Sequence, residues 1–193
     1  MSIRVQIAGF LLAAFIPAAA TVPSMAASPT AQLPLGTPPP PDAMPRAEFV
    51  FEERVTLAPA VVLGETALGQ RQYIPITGGK IVGPKLNGEV IPGGWDFQLR
   101  YPSGCGSLSA DYFLRADDGT VIHVLNEAFT CVPGVPGERT ITRPRIEAPK
   151  GLHEWMTRGT FVGILEIEPP ATPPAPGSPP RLEAIRIKIY QIK

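Results

Sequence analysis

Charge and imidazole are both scarce in this chain. Only 18% of its 193 residues are Asp, Glu, Lys or Arg, and 17 basic residues are balanced by 17 acidic ones. A nucleic-acid-binding domain normally carries a clustered basic surplus, so that class is excluded. Low charge combined with 44% hydrophobic residues is the reverse of the composition of a disordered chain. Two His cannot build a multi-His metal centre, and two lone Cys lack the clustered partners that zinc needs. GxSxG, HExxH, CxxC, Walker and GxGxxG signatures are all missing. No metal or cofactor is therefore expected, and any chemistry is expected to be cofactor-free.

Proline is the residue in excess, with 25 copies. Its distribution is uneven: seven lie in 28–45 and seven in 169–180. One ordinary domain with two Pro-rich appendages explains this better than low complexity throughout.

Residues 1–26 read as a secretory signal peptide. Arg4 supplies a basic start, Ile7 to Ile16 is apolar with one Gly, Pro17 and Pro23 break a helix, and Ser24-Met25-Ala26 offers a cleavage site. The apolar run is too short to span a bilayer, which takes about 20 residues. No Cys sits near the cut and Arg4 stands alone, which excludes lipoprotein and twin-arginine processing. The mature protein is expected to be periplasmic or secreted, without stable membrane insertion. Residues 27–45 read as a stiff spacer, because Pro38 to Pro41 favour polyproline II and lack backbone donors.

Residues 46–193 carry a hydrophobic period of two. Phe49, Phe51, Val55 and Leu57 alternate with Glu48, Glu52, Arg54 and Thr56, and Ile185, Ile187 and Ile189 alternate with Arg186 and Lys188. Further strand-like runs occupy 70–76, 80–90, 94–101, 105–115, 120–127, 141–147 and 159–167. Gly78-Gly79, Pro92-Gly93-Gly94, Pro102-Ser103-Gly104 and Asp117-Asp118-Gly119 fall between them as turns. Many short, evenly spaced strands imply an antiparallel sandwich or barrel. The Pro-rich stretch 168–180 reads as a loop insertion between the last two strands.

Asp117-Asp118-Gly119 suits a three-residue hairpin loop with Gly in the left-handed region. That loop sets Ala116 opposite Thr120, and the same register carried along the strands sets Cys105 opposite Cys131. A disulfide is expected there, since directly opposed residues lie within bonding reach. The register also sorts side chains. Leu108, Ala110, Tyr112 and Leu114 share a face with Ile122, Val124 and Asn126, which is taken as the inside. Tyr112 and Asn126 are then polar groups in an apolar interior, either pocket residues or a core Tyr bonded to backbone. Asp96 is a solvated carboxylate, or a pocket acid if a bulge after Gly94 flips its strand. His123 and His153 read as structural.

Several phrases occur together in order: Ile76-Thr77-Gly78-Gly79; Gly83-Pro84 with Leu86 and Gly88; Pro92-Gly93-Gly94-Trp95-Asp96; Asp117-Asp118-Gly119; Pro144-Arg145-Ile146-Glu147; Trp155; Phe161-Val162-Gly163; and a closing strand to Tyr190. Over about residues 47–193 this resembles the bacterial and fungal family known as domain of unknown function 3237. The resemblance implies a single closed antiparallel β-barrel with a central cavity. It implies little about reaction, although some fungal relatives look like tailoring enzymes that cyclise polyketides. The chain departs from the family pattern at Ile141-Thr142-Arg143, at His123 and His153, at Asp111, and in the 168–180 insertion.

Three functions fit. The first is an acid–base isomerase, cyclase or lyase acting on a small hydrophobic molecule, with Asp96 and Glu147 as general acid and base. Tyr112, Asn126 and Arg143 would orient the substrate, while Trp95 and Trp155 would wall the cavity. The second is a non-catalytic carrier of a hydrophobic ligand. The third is an interaction domain on a Pro-rich stalk.

Overall fold

The computed structural model describes residues 34–131, 139–168, 170 and 182–193. Residues 1–26, expected to be a signal peptide, part of the expected spacer and nearly all of the Pro-rich stretch 168–180 lie outside the described residues. Residues 34–46 are exposed and form no strand, with one 3-10 turn at Pro41–Ala43.

Ten strands follow: β1 (Ala47–Leu57), β2 (Val61–Thr66), β3 (Gly69–Val82), β4 (Gly88–Val90), β5 (Trp95–Arg100), β6 (Cys105–Ala116), β7 (Val121–Cys131), β8 (Thr140–Glu147), β9 (Thr160–Glu168) and β10 (Ala184–Ile192). Every ladder is antiparallel, and the order is β1-β10-β9-β8-β7-β6-β4-β3-β2. Because β1 also pairs with β3, the sheet closes on itself. β4 and β5 both bridge β3 and β6, and β1 and β2 both line the other edge of β3. The result is a closed eight-strand antiparallel barrel.

The β6–β7 ladder runs from Arg115↔Val121 to Cys105↔Cys131, and a disulfide joins those two cysteines. At the turn, the Ala116 amide bonds the Thr120 carbonyl, and Gly119 sits at φ +86°. Three residues of loop thus fix the pairing of residues 26 positions apart.

Two sequence expectations are corrected. Gly78-Gly79 is not a turn, because β3 runs through it. A side chain at Gly79 would place its Cβ 2.1 Å from the Arg54 carbonyl oxygen, so Gly here lets β1 and β3 approach where β1 shifts register. The run 80–90 is likewise broken after Val82, where the Asn87 amide clamps Gly83 through two hydrogen bonds. β2 was not anticipated: its residues are exposed or half-buried, so they carry no clean alternation.

The two ends of the barrel differ. At the β6–β7 turn the interior is filled by Val50, Phe51, Ile81, Leu86, Val90, Leu114, Ile122 and Phe161. β8 and β9 pair only over Thr140–Thr142, and the connection between them carries the helical turn α1 (Trp155–Arg158), whose Met156 is fully buried in the same cluster. His153 Nε2 lies 3.0 Å from Asp118 Oδ2, tying this connection to the β6–β7 turn. The opposite end is left for a cavity.

Candidate active site

Strand pairing dictates what faces the cavity. Residues opposite one another share a face of the sheet, so the cross-strand row Ile74, Asp96, Ala110, Asn126 and Pro144 points one way. Ala110 belongs to the inward face of β6, and Asp96 is therefore inward too. The cavity is lined by Asp96, Tyr112, Asn126 and Thr142 on its polar side. Val55, Leu57, Ile76, Leu108, Ala110, Ala128, Leu165, Ile185 and Ile187 supply the apolar side. Its volume is about 30 Å³, room for one or two waters. A ligand can place one functional group inside, with its remainder at the mouth.

Tyr112 forms the floor with a residue the sequence reading did not single out. Its hydroxyl donates to Glu53 Oε1 at 2.6 Å, with both side chains inaccessible to solvent. Burial pushes the Glu53 carboxyl up to about 7, although the Tyr112 hydroxyl draws it back down. The Tyr112 phenol is held well above its ordinary range, first by burial and then by the neighbouring Glu53 carboxylate, with the Asn126 side chain acting in the opposite sense. It stays a proton donor throughout the physiological range.

Asp96 is also raised by burial, opposed by hydrogen bonds from the Gln98 side chain and the Ser109 backbone. Gln98 Nε2 donates to Asp96 Oδ2 at 2.7 Å, and Gln72 Nε2 donates to Gln98 Oε1 at 2.7 Å. Asn126 Oδ1, Thr142 Oγ1 and Glu53 Oε2 are buried without a hydrogen-bond partner among the described residues. Buried polar atoms are normally satisfied, so the free acceptors of Asn126 and Thr142 mark where a ligand donor would bind.

Of the residues named from sequence, the cavity gathers Asp96, Tyr112 and Asn126. Asp96 turns inward through its ladders with β3 and β6, which contain no register shift, so the bulge considered after Gly94 is not needed. Four others are placed elsewhere. Trp95 precedes Asp96 and so takes the outer face, 41% exposed and 5.0 Å from the Tyr73 ring. On β8 the inward positions are Thr142, Pro144 and Ile146, which sends Arg143 and Glu147 outward. Glu147 is exposed beside His123, at 3.7 Å from Nδ1, so it cannot act in the cavity. Arg143 is paired in register with Glu127 on that outer wall. Trp155 belongs to the filled end, its ring tilted against that of Phe161 at 6.0 Å between centroids, with the Lys85 ammonium over it.

Glu53 was legible in principle. It occupies the same alternating face as Phe51 and Val55, and a carboxylate interrupting an apolar face is the mark of an inward acid.

A family model for proteins of unknown function, DUF3237, matches residues 45–192. A UPF0311 protein from Clostridium acetobutylicum is 41% identical over 131 residues, covering 60% of this chain and 82% of that one. A crystal structure of a protein of unknown function from the same organism superposes with a TM-score of 0.65 at 31% identity. That match covers 77% of this chain and 99% of the other. A hydroalkoxylation enzyme from Penicillium herquei is 33% identical over 84 residues, 44% of this chain and 56% of that enzyme.

Proposed function

The chain belongs to the DUF3237 family of proteins of unknown function, and on that footing we propose that it is a small-molecule acid–base enzyme of the barrel interior, exported to an oxidising compartment. The observation carrying this reading is a pair of desolvated carboxyls inside the barrel: Asp96 lines an otherwise largely apolar cavity, and Glu53 lies behind the cavity-lining Tyr112, bonded to its hydroxyl. Keeping a carboxyl neutral near pH 7 by burial is how proteins equip it to donate a proton.

The roles divide by position. Asp96 faces the ligand group directly and exchanges a proton with it. Glu53 lies behind Tyr112 and controls the direction of the phenol proton. With Glu53 ionised, that proton is held at Oε1; with Glu53 protonated, the carboxylic acid donates to the phenol oxygen and frees the phenol proton for the ligand. Asn126 and Thr142 supply acceptors that orient a ligand hydroxyl. Leu165, Ile185 and Ile187 supply the apolar wall opposite.

The Penicillium herquei relative supports this assignment of class. Hydroalkoxylation adds an O–H across a carbon–carbon double bond, so one proton leaves oxygen and one reaches carbon, with no net proton change. A neutral acid and an ionised base in one dry pocket meet that requirement. Export is supported by the Cys105–Cys131 disulfide, a bond that persists in oxidising compartments, together with the signal-like residues 1–26.

The test is a panel of hydrophobic alkenols and hydroxy-enones, with binding and cyclisation followed separately. Turnover abolished by Asp96→Asn and strongly reduced by Glu53→Gln, yet retained in Glu147→Gln, is the expected pattern. Binding without turnover, indifferent to all three substitutions, identifies a carrier instead.

A further inference from the structure

The two carboxyl oxygens of Asp96 have different surroundings. Oδ2 accepts a hydrogen bond from Gln98 Nε2 at 2.7 Å, while Oδ1 is buried without a partner among the described residues. Strand register explains how Gln98 reaches it. Gln72, Gln98 and Leu108 form one cross-strand row of β3, β5 and β6, and Ile74, Asp96 and Ala110 form the next but one. Positions two residues apart on a strand share a face, so both glutamines stand on the inner face with Asp96.

A carboxamide nitrogen only donates and a carboxamide oxygen only accepts. Gln72 Nε2 donates to Gln98 Oε1 at 2.7 Å, which turns the Gln98 oxygen toward Gln72 and leaves its nitrogen for Asp96. Facing that nitrogen, Oδ2 acts as an acceptor whether Asp96 is neutral or ionised. In a neutral carboxylic acid the carbonyl oxygen is the better acceptor, so the hydroxyl proton belongs on Oδ1. With the opposite polarity, the Gln98 oxygen would face Asp96 and the acid's proton would be spent on it.

We propose that Gln98, held by Gln72, is a positioning residue that confines the exchangeable proton of Asp96 to Oδ1, the oxygen left for the ligand. This rests on the acid–base reading above and adds two residues that do not line the cavity. Burial favours the neutral form of Asp96, so the acid holds a proton for the glutamines to place. Tyr112 is the other titratable residue among those described as lining the cavity, with Glu53 behind it. No hydrogen bond among the described residues joins either of them to the glutamines.

Carboxyl NMR on the substrate-free protein tests the proposal. Gln98→Met keeps the length of the side chain and removes the donor. A hydrogen bond to a carboxylate favours its charged form, so the Asp96 midpoint should rise by about one pH unit. Gln72→Met leaves Gln98 in place, serves also if the first variant does not fold, and should raise the midpoint less. A midpoint that falls or stays at its native value in either variant overturns the proposal. Added to Gln98→Met, Gln72→Met should have no further effect; a rise that persists there comes from altered burial and also overturns it. With any alkenol that turns over, Gln98→Met should lower kcat on the order of tenfold and leave KM within about twofold. An unchanged kcat overturns the positioning role. Native turnover in Asp96→Asn, with the midpoints as expected, defeats the acid–base reading and leaves the place of the proton standing.

Discussion

Tyr112 on β6 and Glu53 on β1 meet inside the barrel through a 2.6 Å hydrogen bond, although 59 residues separate them in sequence. The bond supplies Glu53 with a donor at one oxygen, and Oε2 has none among the described residues. Tyr112→Phe removes the only hydrogen bond the carboxyl makes among the described residues. It is expected to destabilise the fold by about 1–3 kcal/mol and to push Glu53 above its native value. Urea denaturation and carboxyl titration by NMR measure the two effects.

The same residue sets a pH dependence. Glu53 titrates at about 7 in the fold against 4.5 when free. Its contribution to stability is therefore present in full below 4.5 and is lost as pH rises through 7, on the order of 3 kcal/mol across the window. Asp96 acts in the same direction, being raised by burial. Glu48 and Glu168 are lowered by Lys85 and by Arg54 respectively, so their smaller, exposed contributions fade instead as pH falls through their folded values. Denaturation profiles should show stability declining from about pH 5 to 8, and Glu53→Gln should flatten that decline.

Gly94 couples the backbone to the site. A Cβ there would stand 2.5 Å from the Tyr112 Cβ. Gly94→Ala is expected to cost about 1–3 kcal/mol through overpacking and to reduce turnover by displacing the Tyr112 ring. A variant with native stability and activity would contradict the close approach.

Reducing the Cys105–Cys131 bond releases a loop of 26 residues, a loss of about 3 kcal/mol in the chain-entropy account. The hairpin register is set by its turn and needs no disulfide. The expected result is a lower melting temperature with unchanged circular dichroism below it. Two freely alkylated thiols in the native protein would contradict the bond.

Glu147→Gln serves as the control for the cavity. The side chain is 80% exposed on the outer wall, so its removal should change stability by no more than about 0.5 kcal/mol and leave turnover intact.

The amino-acid sequence alone determined the all-β class, the β6–β7 register with its cysteine pair, and the inward placement of Tyr112 and Asn126. Each follows from local rules: alternation along a strand, and a three-residue turn that fixes every pair beyond it. Tertiary structure decided the rest. The face taken by Asp96 depends on which residues of β3 and β6 it pairs with, and no turn adjacent to it encodes that choice. Glu147 and Arg143 went outward by the register of β8 against β7, which sets Pro144 opposite Asn126 and Ile146 opposite Val124, and no turn signal in the sequence encodes that pairing. The meeting of Glu53 with Tyr112 exists only because β1 closes the barrel, bringing an acid of the first strand to a phenol of the sixth. Local sequence sets the side on which a residue stands relative to its neighbours; closure of the sheet sets what it faces.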